Sequence, residues 1–181
     1  MTTHTSKPVP ARPGPRRVAP PRKTLVVGVA DMIASNDATA VIVTHSLGSC
    51  VGVVVYDAVC RVGGMLHLML PDSTINTAKA AQTPCMFVDT GVPQLFNAVY
   101  RLGAVKSRLI VKMAGGARFL DEKGIWNIGQ RNVQALKEIL GRNGISVDSC
   151  DVGGMSARTL RLDMATGCVT VQIAGRKRYE L

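Results

Sequence analysis

Residues 51–70 read VGVVVYDAVCRVGGMLHLML, and this stretch decides the fold. Val51–Tyr56 and Val62–Leu70 are apolar runs of strand length, rich in β-branched side chains. The four residues Asp57-Ala58-Val59-Cys60 between them leave room only for a turn, so the two runs read as a hairpin. Centring the turn on Ala58–Val59 sets Tyr56 opposite Arg61, Gly52 opposite Met65 and Cys50 opposite His67. Directly opposed residues share a sheet face with Cβ atoms about 4.5–5.5 Å apart. A one-residue slip would send the two side chains to opposite faces, so the pairing is conditional on register.

Outward from the hairpin, Thr24–Ala30 and Ala40–Thr44 read as strands, separated by a turn at Ser35-Asn36-Asp37. Gln94–Leu102 carries apolar residues at helical spacing, capped by Gly103. Arg108–Met113 is a further strand, stopped by Gly115-Gly116. Gln130–Leu140 is a second helix, with Val133, Leu136, Lys137 and Leu140 in register and Gly141 at its end. Ile145–Val152 and Cys168–Ile173 are late strands. The expected architecture is α+β, with mixed or antiparallel strands and about two principal helices.

Six of the nine prolines and six basic residues without an acid fall in residues 1–24. The net charge of +10 therefore belongs mainly to a segment that cannot bury enough apolar surface to fold. The expected division is a disordered Pro/Arg-rich tail over residues 1–23 and one domain over 24–181. The body carries +4, with no aromatic interleaving and no nucleic-acid motif, so nucleic acid is not an expected partner. No apolar run approaches the roughly 20 residues of a membrane span, and no apolar segment follows the N-terminal basic residues as in a secretory signal. Five cysteines, odd in number and without a C-x-x-C pair, argue against a disulfide scaffold or a structural zinc site. Free thiols suit a reducing cytoplasm.

The corner Ser46-Leu47-Gly48-Ser49-Cys50 carries the chemistry. A cysteine nucleophile needs a base to form its thiolate, and histidine is the usual one. His4 lies in the tail, leaving His45 and His67. The hairpin register favours His67, while the odd spacing of His45 from Cys50 counts weakly against it. Small residues before the cysteine let a carbonyl substrate approach, and N–H groups at Ser49 and Cys50 can form an oxyanion site. Thr44 leads into the corner, where it can hold the imidazole in the right tautomer. The plain alternative stays open from chemistry alone: a cysteine among apolar neighbours is ordinarily a small core side chain, and His67 between Leu66 and Leu68 can be a satisfied core histidine. Cys60, Cys85, Cys150 and Cys168 read as structural. The paired glycines lack phosphate-loop spacing.

Several ordered blocks make the chain recognisable: Leu47–Val53, Tyr56-Asp57, Gly63–His67, Leu70-Pro71, Val88-Asp89, Leu102–Ala104, Lys112, Gly115–Ala117, Ile128–Asn132, and Asp151–Gly154 with Arg158. Together they resemble the CheD family of chemoreceptor glutamine deamidases over about residues 24–174. The resemblance implies a cysteine amidohydrolase with a Cys-His-Thr triad at Cys50, His67 and Thr44, without metal or organic cofactor. It implies a fold similar to toxin-type cysteine deamidases, with mixed or antiparallel β-sheets packed together and helices flanking them. The implied substrates are glutamines on cytoplasmic helices of methyl-accepting chemotaxis receptors, converted to glutamates, with receptor methyl-ester hydrolysis as a side activity. A CheC-type phosphatase is an implied partner in some organisms. A cytoplasmic monomer without membrane insertion is expected. The alternative is a regulatory binding module for receptors or such a phosphatase, with little catalysis. Two positions depart from the pattern: His45 stands where an aliphatic residue or glycine is expected, and Ala114 where an aromatic is expected.

Overall fold

The computed structural model describes residues 22–118, 127–174 and 176–181. The expected tail, apart from Arg22 and Lys23, lies outside the described residues. The elements run β1 (Lys23–Val26), β2 (Asp31–Ser35), β3 (Ala40–Leu47), β4 (Val51–Asp57), β5 (Val62–Leu68), α1 (Thr77–Gln82), α2 (Val88–Arg101), β6 (Leu109–Gly115), α3 (Ile128–Arg142), β7 (Ser149–Val152), β8 (Arg158–Asp163), β9 (Val169–Ile173) and β10 (Tyr179–Glu180). They form two five-stranded sheets, ordered β1-β3-β8-β9-β10 and β2-β5-β4-β6-β7. Each sheet is mixed, with β1/β3 and β6/β7 as its parallel pairs. This is the α+β arrangement expected of the sequence.

Two apolar layers hold the elements together. Ile42, Leu160, Leu162 and Val171 of the first sheet pack against Val54, Met65 and Ala114 of the second. On the far side of the second sheet, Val53, Val55, Leu66 and Leu68 pack against Leu95, Phe96 and Val99 of α2 and Leu136 and Leu140 of α3. The hairpin strands thus sit in the middle layer, and every residue of β4 and β5 is buried. That explains their unbroken apolar character, because a strand covered on both faces has no solvent side to mark. Each fully buried Val, Leu or Met contributes about 1.5–3 kcal/mol.

The hairpin register differs from the expected one by two residues. Tyr56 pairs with Gly63, and Gly52 with His67. The loop keeps four residues but moves on by one, because Asp57 belongs to β4, where it pairs with Val62. Its carboxylate accepts the Val59 N–H at 3.0 Å, and Arg61 takes φ +53° to close the loop. The Arg108 guanidinium, 2.8 Å away, holds the Asp57 carboxyl far below the usual carboxylate range. An even shift keeps every side chain on its face. Cys50 and His67 therefore both point into the layer between the sheets, but diagonally rather than directly opposed.

Other boundaries moved for local reasons. The strand expected over Thr24–Ala30 ends at Val26, and Ala30 turns the chain with φ +58° into β2, which the pattern did not announce. Helix α2 begins six residues before Gln94, with Gly91 and Pro93 inside its first two turns. Helix α3 runs past Gly141 to Arg142 and ends where Gly144 takes φ +62°. The strand expected over Ile145–Val152 begins only at Ser149. Strand β8 alternates buried and half-buried residues, a period-two signal in RTLRLD that the reading passed over.

Candidate active site

Thr44 and His67 meet across the gap between the sheets. Even-numbered residues of β3 face inward, and Thr44 continues the series Ala40, Ile42 at 0% exposure. His67, on β5 of the other sheet, is 1% exposed. Thr44 Oγ1 donates to the Val27 carbonyl at 2.9 Å and lies 2.8 Å from His67 Nδ1. A hydroxyl has one proton, and Val27 takes it, so the Thr44 oxygen accepts from a protonated Nδ1. That tautomer leaves a lone pair on Nε2, which is buried without a hydrogen-bond partner. Burial pushes the imidazole down to about 4, so it is neutral, and able to act as a base, at ordinary pH.

The corner that delivers Cys50 is built by backbone geometry. The pairing of β3 with β8 slips between Thr44 and Leu47, and Ser46 takes φ +59°. Gly48 N–H then bonds the Ser46 carbonyl at 2.8 Å. Three successive carbonyls are held from one side. Ala117 N–H donates to Gly48 O at 2.7 Å, Asn132 Nδ2 to Ser49 O at 3.0 Å, and Gly116 N–H to Cys50 O at 2.8 Å. Among the described residues no loop or turn carbonyl accepts from the Ser49 or Cys50 N–H, and the Cys50 N–H is directed at its own sulfur. Gly115 has to be glycine here: at φ +114°, a Cβ would lie 2.3 Å from the Cys50 carbonyl oxygen. Cys50 is half-buried against the apolar layer between the sheets, and burial pushes its thiol up. Both groups are thus neutral, and Cys50 Sγ makes no hydrogen bond to His67 Nε2.

The second imidazole goes elsewhere. His45 is exposed on the outer face of β3, where its Nδ1 lies 3.4 Å from Thr159 Oγ1. Alternation decides this, because Thr44 and His45 are adjacent residues of one strand. Ala114 is fully buried opposite Gly52. Cys85 is buried, Cys60 and Cys168 half-buried, and Cys150 exposed on β7. Among the described residues, no group of three or more His, Cys, Asp or Glu could hold a metal ion. The open groove of about 270 Å³ between α2 and α3, lined by Phe96, Tyr100 and Ile139, does not include Cys50.

Asn132 was missed by the sequence reading. It is fully buried and donates to Met69 O at 2.7 Å as well as to Ser49 O. A signal existed: Asn132 stands four and eight residues before Leu136 and Leu140, a polar residue on a buried helical stripe.

A family model described as CheD chemotactic sensory transduction matches residues 69–173, more than half of the chain. The chain belongs to the CheD family. Among curated CheD proteins, the probable chemoreceptor glutamine deamidase CheD 1 of Syntrophus aciditrophicus (strain SB) is 43% identical over 157 residues, 87% of this chain and 98% of its own length. A span of 157 in a chain of 181 must include residues 25–157, and so contains Thr44, Cys50, His67 and Asn132. The probable chemoreceptor glutamine deamidase CheD of Desulforamulus reducens is 48% identical over 154 residues, covering 82% of this chain and 90% of its own. CheD 2 of Anaeromyxobacter dehalogenans (strain 2CP-C), similarly described, is 46% identical over 148 residues, 82% and 93% of the two chains. No helix among the described residues of this CheD-family chain is long and apolar enough to cross a membrane.

Proposed function

We propose that this protein deamidates glutamine side chains of chemotaxis receptors, with Cys50 as nucleophile, His67 as base and Thr44 as the group that holds the base. The reading rests on its CheD relatives, which are named as probable chemoreceptor glutamine deamidases. The observation that carries the site is the Thr44–His67 contact, which turns the free lone pair of a buried imidazole into the layer that Cys50 also enters.

His67 Nε2 takes the thiol proton as sulfur attacks the side-chain amide carbon. Both groups rest neutral, so transfer accompanies attack rather than preceding it. The carbonyl oxygen gathers negative charge, which the N–H groups of Ser49 and Cys50 stabilise. The imidazolium returns its proton to the departing nitrogen, which leaves as ammonia, and a thioester remains on Cys50. Water gives its proton to Nε2 and attacks the thioester, releasing glutamate and restoring the thiol. No step in this sequence draws on a cofactor. A glutamyl methyl ester fits the same path with methanol as the leaving group. The reading includes a monomer acting on the cytoplasmic part of receptors, and a CheC-type phosphatase as a second partner. It also keeps residues 1–23 outside the working domain.

The test is incubation with a purified receptor cytoplasmic fragment, with Gln-to-Glu conversion mapped by mass spectrometry and ammonia measured in parallel. Conversion is expected with the parent protein and lost in Cys50→Ala. Undiminished conversion in Cys50→Ala would remove Cys50 from the mechanism. Tight receptor binding without ammonia release from the parent would favour a binding module instead.

A further inference from the structure

We infer that Asn132 is the positioning residue of the oxyanion site: one amide group, held on Ser49 O and Met69 O, aims the Cys50 N–H and ties the nucleophile's corner to the strand that carries the base. The inference rests on the deamidase reading and adds a residue to it.

In a trans peptide unit, the carbonyl of one residue and the N–H of the next point in opposite directions. Whatever grips the Ser49 carbonyl therefore sets where the Cys50 N–H points. That grip is the Asn132 side chain, at 3.0 Å. The flanking carbonyls of Gly48 and Cys50 are gripped by backbone N–H groups of Ala117 and Gly116. Asn132 is thus the side chain in an otherwise main-chain clamp, and it controls the peptide whose N–H lies nearest the nucleophile.

The same NH2 group reaches Met69 O at 2.7 Å, two residues beyond His67. Ser49 precedes the nucleophile, and Met69 follows the base on the partner strand. A single side chain bonded to both limits how far Cys50 can move from the imidazole. Helix α3 can bring it there because its first turn lies against the glycine loop. A Cβ on Gly129 would come within 2.5 Å of Gly116 O.

Stability alone does not explain an asparagine at this place. Its Oδ1 is buried without a partner, and its neighbours on the stripe are Leu136 and Leu140. A buried acceptor left unpaired is a cost that an apolar side chain avoids. The two donated bonds are what the residue supplies.

The experiment compares two reactions of Cys50 in Asn132→Leu and parent protein. Glutamine deamidation passes through an oxyanion. Alkylation by iodoacetamide displaces iodide at a saturated carbon and does not. Removing an oxyanion donor costs about 10²–10³ in kcat, so misaiming one is expected to lower kcat about 10- to 100-fold. KM and the alkylation rate are expected to stay within about threefold, as for a contact made only in the transition state. Unchanged kcat in a folded Asn132→Leu would overturn the inference. So would an equal fall of turnover and alkylation, which would mark Asn132 as a general support of the corner. If Asn132→Leu does not fold by circular dichroism, Asn132→Ser, which keeps one short donor, is read by the same ratio. Cys50→Ala separates the two levels. Full turnover there overturns the site itself, whereas lost turnover there with unchanged Asn132→Leu kinetics overturns only the role of Asn132.

Discussion

Replacing Thr44 by valine removes one oxygen and keeps the side-chain shape. Two bonds disappear with it, the 2.9 Å donation to Val27 O and the 2.8 Å contact with His67 Nδ1. Thr44 and His67 are both buried, so water does not replace the lost partner. A buried polar group left unpaired costs about 1–3 kcal/mol, and a neutral hydrogen bond is worth about 0.5–1.5 kcal/mol net. Nε2 has no partner either, so nothing then holds the proton on Nδ1 or the ring in its orientation. The Nε2–H form lacks the lone pair that takes the Cys50 proton in the proposed mechanism. Each 1.36 kcal/mol of tautomer preference is about tenfold in the competent fraction. The expected result for Thr44→Val is a kcat lower by about 10- to 100-fold, less than the roughly 10⁴ lost when a triad carboxylate is neutralised. Thr44→Ser, which keeps the hydroxyl, is expected to recover most of the activity. The assay is ammonia release from a receptor fragment, with the ring nitrogens of His67 followed by NMR. Turnover of folded Thr44→Val within about twofold of the parent, or an unchanged Nδ1–H tautomer, would refute the argument that Thr44 sets the proton position.

Four further outcomes follow from the same geometry. His67 sits at about 4 instead of 6.5, so unfolded chains bind a proton between these values that the native site refuses; stability is complete above pH 6.5 and is lost as pH falls towards 4, by about 3 kcal/mol, in denaturant titrations across that range. The acid limb of kcat/KM should likewise lie near 4, and a limb at 6.5 would show that the base is another group. Gly115→Ala forces a Cβ against the Cys50 carbonyl at φ +114°, so a stability loss on the order of 3 kcal/mol and a fall in turnover beyond about tenfold are expected, by thermal melting and ammonia release. His45→Ala should leave turnover within about twofold, since the side chain is exposed on the outer face; a large loss would return His45 to the mechanism.

Much of the site was legible because strand alternation carries through an even shift of register. Cys50 and His67 were placed on one face from the hairpin alone, and a two-residue difference in the turn left them there. The direct opposition did not hold, because Asp57 joins β4 and the four-residue loop moves on by one, with Arg108, from a distant part of the chain, gripping the Asp57 carboxylate. The early start of α2 escaped because Gly91 and Pro93, residue types that disfavour a helix interior, are accommodated there by packing. Gly91, for example, lies in the second turn of α2 because the Cys85 backbone comes within 3.1 Å of where its Cβ would be.

The sequence alone carried the α+β class, the hairpin, the shared sheet face of Cys50 and His67, and the small-residue corner before Cys50. These follow from local periodicity, which a chain carries wherever it folds. Only the tertiary structure decided what Thr44 touches, which imidazole nitrogen is free, and which carbonyls around Cys50 are gripped. Thr44 and His67 lie on different sheets, and Asn132 reaches Ser49 across 83 positions of chain. Such contacts are set by how two sheets and a helix pack, and no spacing along one strand encodes them.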